Sequence, residues 1–344
     1  MNSFGICLTL STFGESHGPA IGGIIDGFPA GFPIDTAKVQ SALNARRPGR
    51  SALTTARREP DEVHFLSGIH PDGRSLGTPI GFIIKNTDAH SADYSDLENI
   101  YRPNHADFTT EARYGLRDHR GGGRASARET ANWVVAGELA RQLLDQYGIT
   151  ISANLIAVGD VTDSSEFERV ILDAKERGDS VGGLVEAVVT GLPAGIGDPI
   201  FNKLDARLAF AALTINGAKG IEFGDGFRFA AMRGSEAADS FATDSDGRVI
   251  TLSNHCGGIQ GGITNGMPVV FRIPFKPTPT IARPLSTVDR NGNPVILEAK
   301  GRHDPCIAVR AVPVVKAITA FTIADMMIAD GIIPHKFPPQ HPIP

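Results

Sequence analysis

The alternation of apolar and polar residues predicts a succession of short strands, each closed by a turn. Residues 4–13 alternate and predict a strand that ends at the turn 14–18, and residues 22–26 form a second short apolar run. The same pattern predicts further strands over residues 151–158, 184–189, 249–252, 268–275 and 294–299. Glycines and prolines are numerous but dispersed, which indicates tight turns rather than a low-complexity segment.

Helical periodicity predicts four helices between these strands. Asp35 or Thr36 can cap a helix that runs to about residue 46, where a proline and a glycine stop it. A central helix has apolar residues at three- and four-residue steps over 131–143. The pair 198–199 predicts another helix with proline at its first position, and 312–328 predicts a buried apolar helix.

Two turns of the chain share one sequence pattern. Gly27–Phe32 and Gly191–Ile196 both read glycine-apolar-proline-alanine-glycine-apolar, and each joins a predicted strand to a predicted helix. We interpret the match as a weak internal duplication of a strand-turn-helix unit, with chance similarity of two turns as the alternative. The fold class predicted is α/β (α+β), a single large domain over residues 1–333 followed by a proline-rich tail, 334–344.

Composition narrows the class of protein. The chain has 344 residues, 41% of them hydrophobic, and a net charge of −5, which argues against nucleic acid as the main partner. Its three cysteines are far apart and lack a metal-binding spacing, so we expect a reduced, cytoplasmic protein without disulfides. The sequence predicts no signal segment and no membrane-spanning run.

The stretch Tyr114–Thr130 concentrates the candidate chemistry. It contains four arginines and three consecutive glycines and leads into the predicted central helix. A glycine-rich turn at a helix N-terminus, flanked by guanidinium groups, suits a phosphate. An ordinary turn before a helix is the alternative, because the run matches neither a Walker A loop nor a dinucleotide fingerprint.

Two histidines and several further basic groups are candidates for proton transfer and anion binding. His17 lies in a turn after a strand, and His105 has a carboxylate nearby, so each could exchange a proton near neutral pH. An exposed turn histidine is the alternative for His17. Together with the arginines at 46–58, the two histidines suit a substrate with several negative charges. The histidines and carboxylates lack a paired or HExxH spacing, so we predict no metal site.

Several motifs, in order along nearly the whole chain, resemble those of the chorismate synthase family. They are Thr12–Gly18, Arg46–Gly49, Arg57–Asp61, Asn86–Asp88, Tyr114–Thr130, Asn254–Gly262, Lys276–Thr278 and Lys300–Cys306. The resemblance implies a β-α-β sandwich of two similar halves, usually a homotetramer. It also implies anti-1,4-elimination of phosphate from 5-enolpyruvylshikimate 3-phosphate, giving chorismate, with reduced FMN and no net redox change.

The resemblance also assigns roles to residues. It implies that His17 protonates the departing phosphate, that His105 protonates the reduced flavin, and that Asp304 assists at its N5. The implied FMN contacts are Arg124, Ala125, Ser126, Asn216, Gly217, Gly261, Lys276, Pro277, Thr278, Pro279, Thr280 and Arg302. The implied substrate contacts are Ser16, Arg46 and Arg128, with Arg50 as the nearest replacement for an arginine that the family often has at position 52.

This chain departs from the family pattern at five positions. Ala125 and Pro279 stand where serine is usual, Gly217 where alanine is frequent, Asn104 where glycine is common, and Ala52 where arginine is often found. Ala125 lacks a hydroxyl contact to FMN and Pro279 lacks a donor in its turn, and none of the five departures removes a proton-transfer group.

Partners and competing functions follow from the same features. We expect a monofunctional enzyme supplied by an external flavin reductant, with NADPH only an indirect source of electrons, and with neither nucleic acid nor membrane as partner. The alternatives are a non-catalytic anion- or RNA-binding protein, a flavin oxidoreductase and a metal-dependent phosphatase.

Overall fold

The computed structural model describes residues 1–49, 51, 53–55, 59–88, 97–299 and 304–338. Its strands are β1 (Ser3–Phe4), β2 (Thr9–Gly14), β3 (Ala20–Asp26), β4 (Val63–Phe65), β5 (Ile80–Lys85), β6 (Thr150–Val158), β7 (Gly183–Thr190), β8 (Glu222–Phe223), β9 (Phe241–Thr243), β10 (Val249–Thr251), β11 (Ile259–Gln260), β12 (Ile263–Thr264), β13 (Val269–Phe275), β14 (Leu285–Val288) and β15 (Pro294–Leu297). Its α-helices are α1 (Thr36–Arg46), α2 (Asp107–Tyr114), α3 (Thr130–Asp145), α4 (Phe167–Glu176), α5 (Leu204–Thr214) and α6 (Ala308–Ala329).

Two antiparallel sheets enclose a layer of helices. The first sheet has the order β1-β2-β3-β5-β4 and the second β6-β7-β13-β8. Helix α3 packs on β2 and β3, α6 packs on β6 and β7, and α3 and α6 pack against each other. The mixed helix and sheet domain expected from the sequence is therefore confirmed, with the apolar faces of both sheets turned towards a shared core.

Gly137 sets how closely the two central helices approach. A Cβ atom at this position of α3 would overlap the backbone of Ala317 in α6. The missing side chain thus lets the two helix backbones touch at the middle of the molecule.

The two halves of the chain repeat one connectivity. In the first half, β2 and β3 pair, α1 follows, β5 then pairs with β3, and α3 ends the unit. In the second half, β6 and β7 pair, α5 follows, β13 pairs with β7, and α6 ends the unit. The two matching turns occupy equivalent places. Gly27 and Gly191 have φ of 76° and 81°, and a Cβ at either would overlap backbone just before the first strand of its half.

The sequence predicted the central strands and helices of both halves, but the single strand expected over 4–13 is divided into β1 and β2, and short elements such as β4, α2 and α4 were not predicted. Helix α1 begins after an Asp35 cap that accepts hydrogen bonds from two backbone N–H groups and ends at Arg46, as expected. The helix expected from 198–199 was wrong. Helix α5 begins at Leu204, because 198–202 form a turn in which Asp198 N–H donates to the carbonyl of Asn202, four residues later in the chain.

Helix α6 is longer than predicted and is the main core helix. It begins at Ala308 rather than near 312. By length and composition it could cross a membrane, but 83% of its most apolar window is buried within the fold. That degree of burial is typical of the central helix of a large core.

The start of the predicted proline-rich tail pairs with the first half. Phe337 N–H donates to the Ala30 carbonyl at 2.8 Å, and the Phe337 ring packs on Phe32 at a centroid distance of 5.3 Å. Residues 335–337 are thus tied to the turn after β3. The remaining residues of the tail, 339–344, lie outside the described part of the chain.

Asp325 in α6 fastens the N-terminal segment to the core. Its carboxylate is 1% exposed and accepts hydrogen bonds from the backbone N–H groups of Ile6, Cys7 and Leu8. It also pairs with Arg207 at 3.0 Å. The stability of a buried carboxylate depends on all the groups that compensate its charge.

We expect Asp325→Asn to lower the free energy of unfolding by about 3 kcal/mol, because three backbone donors and one guanidinium lose a charged acceptor. Urea denaturation followed by circular dichroism measures the loss. The exposed Asp330, just past the end of the same helix, supplies a control. Asp330→Asn should change stability by less than about 0.5 kcal/mol. Equal effects of the two substitutions would contradict the anchoring role.

Candidate active site

A cleft of about 400 Å³ opens between the two halves of the molecule. Its lining from the first half is His17, Pro48, Thr55, Glu59, Arg102, Asn104, His105, Ala106, Gly121, Gly122 and Ala125 to Arg128. Its lining from the second half is Asn216, Gly217, Lys276 to Thr280, Asp304, Ile307 and Arg310. The site therefore exists only where both repeats meet.

His17 reaches the cleft from the turn that follows β2. Ser16 lies beneath it, 1% exposed, with its Oγ 3.1 Å from His17 Nδ1. Gly121 lies against the same side of the ring, where a Cβ would overlap the imidazole. The side chain of Asn86 holds this turn by donating to the carbonyls of Glu15 and Gly18. The imidazole is thus supported by a packed turn rather than exposed in a loose one.

His105 lies two residues before α2, on the wall of the cleft formed by residues 102–106. Its Nδ1 is 3.1 Å from Oδ1 of Asp107, and its side chain is 18% exposed. Burial lowers the pKa of His105, and the nearby Arg102 charge adds to the effect although Asp107 opposes it. A neutral imidazole with Nδ1–H directed to the carboxylate has Nε2 as its acceptor nitrogen.

The departure at Asn104 has a conformational explanation. Asn104 has φ of 56°, in the left-handed region that glycine occupies most easily and that asparagine tolerates better than most residues. Its carbonyl accepts a hydrogen bond from Lys276 Nζ at 2.5 Å. This bond joins the His105 wall to the opposite loop.

Asp304 occupies the rear of the cleft, at the approach to α6. Its Oδ1 accepts from the backbone N–H of Thr55, and its Oδ2 pairs with Arg310 Nη1 at 2.6 Å. Arg310 also lines the cleft and donates to the Arg46 carbonyl at 3.3 Å. Arg310 is therefore a cleft residue that sequence reasoning missed. Its position one turn into an apolar helix gave only a weak signal.

Arg46, Arg128 and Arg310 lie together at the floor of the cleft or just behind it. Asp61 is 0% exposed and binds both Arg46, at 3.0 Å, and Arg128. Burial, together with the Arg310 charge, lowers the pKa of Arg46 to about 9. Although burial opposes it, the charges of Arg46 and Arg128 hold the pKa of Asp61 below its usual range. Arg128 and Arg310 also line the cleft, where a guanidinium can bind an anionic ligand while remaining charged.

Asn216, Ala125 and the loop that contains Thr278 form a part of the cleft that fits a flat cofactor with a phosphate group. Asn216 Nδ2 donates to the Ala125 carbonyl at 2.8 Å, while Asn216 Oδ1 is buried. Thr278 Oγ1 is buried too, and within the described ranges neither oxygen has a hydrogen-bond partner. Buried polar atoms are normally paired, so these two indicate contacts that a ligand completes. The residues present therefore fit FMN, although Ala125 offers no hydroxyl.

The other predicted FMN contacts divide into three groups. Ser126, Gly217, Pro277, Pro279 and Thr280 line the cleft with the residues just described. Gly217 has φ of 89°, which favours glycine over the alanine common in the family. The Arg124 side chain points away from the cleft and pairs with Glu129 at 2.7 Å and with Thr12 Oγ1 at 2.7 Å. Gly261 lies in the turn between β11 and β12, also outside the cleft. Arg302 lies outside the described residues.

The predicted substrate contacts are divided in the same way. Arg128 lines the cleft, with its Nε donating to Asn86 Oδ1 at 2.7 Å. Arg46 is 1% exposed and lies behind the cleft wall, where its Nη2 donates to the Ala127 carbonyl at 2.5 Å. Arg50 lies outside the described residues, as does Ala52. Their binding roles stay predictions.

Comparison with known proteins gives the family. The family model described as chorismate synthase matches residues 8–328. The chain belongs to the chorismate synthase family. A chorismate synthase from Parabacteroides distasonis is 49% identical over 95% of this chain and 98% of that protein. A chorismate synthase from Methanocella arvoryzae is 47% identical over 96% of this chain and 95% of that protein.

A solved structure extends the match to the fold. A crystal structure of chorismate synthase superposes with a TM-score of 0.75 at 28% identity, covering 95% of this chain and 93% of that one. The recognition made from motifs is thereby confirmed. The chain is an enzyme of the family's lyase class, which acts on a phosphate-bearing substrate in the shikimate pathway.

Proposed function

We propose that this enzyme eliminates phosphate from 5-enolpyruvylshikimate 3-phosphate in an anti-1,4 sense, with reduced FMN bound in the cleft and unchanged in oxidation state after each turnover. The observation that supports it most is the convergence of His17, His105 and Asp304 on one cleft with the loop Lys276–Thr280. Family membership supplies the reaction class, and the cleft supplies a place for two anionic ligands.

His17 is the proposed acid for the leaving phosphate. It lies beside the Gly121–Gly122 turn and faces the same cleft as Arg128. A positioned acid neutralises the charge that develops on a departing oxygen, and such groups accelerate reactions by roughly 10²–10⁴. The phosphate would thus leave towards the arginine-rich floor.

His105 and Asp304 are the proposed proton carriers on the flavin side. His105 and Lys276 face each other across the cleft entrance, joined through the Asn104 carbonyl. Asp304 is held by Thr55 and Arg310 so that its carboxylate has a fixed orientation. Reduced FMN, when bound, supplies a reversible electron source and a basic N5. The side chains named here orient that ring and manage the protons around it.

The basic groups complete the substrate site. Arg128 and Arg310 line the cleft, and Arg46 lies just behind them. The substrate has two carboxylates and a phosphate, so it needs several cations that stay charged when desolvated. Ser16 and Arg46 would act mainly by holding His17 and the 127–130 turn, given their burial.

An anaerobic assay with photoreduced FMN and 5-enolpyruvylshikimate 3-phosphate tests the proposal. We expect chorismate and phosphate in equal amounts, both far in excess of the flavin, with the flavin still reduced at the end. Phosphate without chorismate would point to a phosphatase. Flavin oxidised in proportion to product would point to an oxidoreductase.

We expect Asn216→Ala to weaken FMN binding roughly 10-fold, which corresponds to about 1.4 kcal/mol for one lost hydrogen-bonding group. Fluorescence titration of FMN measures the change. Asn202→Ala is the control, because Asn202 bonds Asp198 in the turn before α5 and lies outside the cleft. Unchanged FMN affinity in Asn216→Ala would remove this residue from the cofactor site.

We further propose that the enzyme acts as a homotetramer in the cytoplasm and receives reduced flavin from a separate reductase, so that NADPH contributes only indirectly. Light scattering on a sizing column tests the assembly. Aerobic turnover with oxidised FMN and NADPH, without any reductase, would show that the chain reduces its own flavin.

A further inference from the structure

A buried ion pair connects the two histidines of the cleft. The carboxylate of Asp107 is 5% exposed and accepts from Arg102 at three donors: the backbone N–H at 3.0 Å, Nε at 2.8 Å and Nη2 at 2.7 Å. The same carboxylate lies 3.1 Å from His105 Nδ1 and 3.6 Å from Arg117 Nη1. Asp107 is thus bound from several directions at once.

Arg102 extends this connection to the other histidine. Its Nη2 donates to the carbonyl of Gly121 at 2.9 Å. Gly121 has φ of 87° and lies directly against the His17 imidazole, so that a single added carbon would overlap the ring. The Gly121 backbone is therefore held between Arg102 and His17.

We infer that the Arg102–Asp107 pair is a positioning unit that fixes both histidines: Asp107 directs the Nδ1–H of His105 and so leaves Nε2 to the cleft, and Arg102 holds the Gly121 backbone that supports His17. The inference deepens the proposed function and rests on it for the catalytic roles of the histidines. The inference that the pair positions the two imidazole rings does not depend on the proposed function.

The charges around His105 explain why the pair would matter. Arg102 and Asp107 face the ring from its own segment, and Lys276 faces it from the opposite loop. Hydrogen bonds from Arg102 and His105 hold the pKa of Asp107 well below its usual range, although burial opposes them, so Asp107 stays ionised. Removing that charge leaves His105 beside two uncompensated cations, which lowers its pKa further.

Nitrogen NMR of the histidine rings in the protein without ligands tests the positioning. We expect neutral His105 of the wild type to be protonated at Nδ1. In Asp107→Asn, the one remaining oxygen stays with Arg102, and the amide NH₂ faces the ring. The Nε2–H tautomer should then predominate, and the pKa of His105 should fall.

The variant Arg102→Gln tests the connection from Arg102 through Gly121 to His17. It should shift the ring signals of His17 through the Gly121 backbone, as well as those of His105. Glu111→Gln is the matched control, because Glu111 lies on the same helix and contacts Arg117 at 3.4 Å but is outside the cleft. It should leave both rings unchanged.

Kinetics separates positioning from a general loss of structure. We expect Asp107→Asn to lower kcat by roughly 10²-fold with little change in KM and with a displaced pH profile, as when a histidine is left in the wrong tautomer. A wild-type His105 protonated at Nε2 would overturn the inference, even if every variant failed to fold. Retention of the wild-type tautomer in Asp107→Asn would overturn it too. If the NMR results hold but the wild type makes no chorismate, the proposed function fails and the positioning stands.

Discussion

We expect His17→Ala to lower kcat by roughly 10²–10⁴-fold, the range for loss of a general acid. His17 faces the cleft, and its turn is packed by Ser16, Gly121 and Asn86. Truncating the ring therefore removes the proposed acid while the supporting turn keeps most of its contacts. Single-turnover formation of chorismate under anaerobic conditions measures the chemical step without product release.

His64→Ala is the control for this experiment. His64 lies on β4 with its side chain 42% exposed, outside the cleft. Its loss should leave kcat within about twofold, as for most surface substitutions. FMN affinity should be similar in both variants. Full activity in His17→Ala would transfer the acid role to another group, and His105 is then the next candidate.

Asp61→Asn is expected to lower the free energy of unfolding by about 3–5 kcal/mol, because it leaves Arg46 and Arg128 buried without their shared carboxylate. Asparagine also suits the backbone, since Asp61 has φ of 50°. The loss of charge is thus the main change. Urea denaturation measures it, and the exposed Asp246→Asn, expected to change stability by less than about 0.5 kcal/mol, is the control.

The stability that the Asp61 carboxylate contributes should depend on pH in a definite direction. The pKa of Asp61 is lower in the folded protein than the ordinary value, despite burial, because of the two arginines. Its contribution to stability is therefore present above about pH 4, the usual unfolded value, and is lost as the pH falls through the folded pKa. The stability difference between wild type and Asp61→Asn should shrink over that acidic interval. A constant difference would mean that packing, not charge, is what the substitution disturbs.

A double variant keeps the prediction testable if Asp61→Asn does not fold. Adding Arg46→Gln removes one of the uncompensated cations and should recover part of the lost stability. Additive effects of the two substitutions would show that the pair is not coupled.

Local signals predicted much of the fold. Helix α1 follows from an aspartate cap and a terminal proline-glycine pair, both of which act within a few residues. Pro199 misled the prediction of α5 because proline suits a turn as well as a first helical position, and here the turn is closed by a hydrogen bond from Asp198 N–H to the Asn202 carbonyl.

The site was less accessible to sequence reasoning because its contacts span the chain. Asp304 binds Thr55 across 249 residues, and Arg310 binds the Arg46 carbonyl across 264. Family resemblance implied that Arg46 contacts substrate, but no spacing rule could show that its side chain is 1% exposed and bound to Asp61. Local sequence marked His17 and His105 as candidates, but their separate roles and the FMN contacts of the loop 276–280 were assigned only by family resemblance; the structure places all of them on one cleft.

The close contact between Gly137 and Ala317 makes the width of the cleft a property of the core. The two halves contribute opposite walls, and the backbones of their central helices meet at Gly137. A methyl group there would push the two central helices apart and so separate the walls without altering any residue that lines the cleft. Binding in the cleft would therefore depend in part on the interior, and an unchanged lining would not by itself ensure an unchanged affinity.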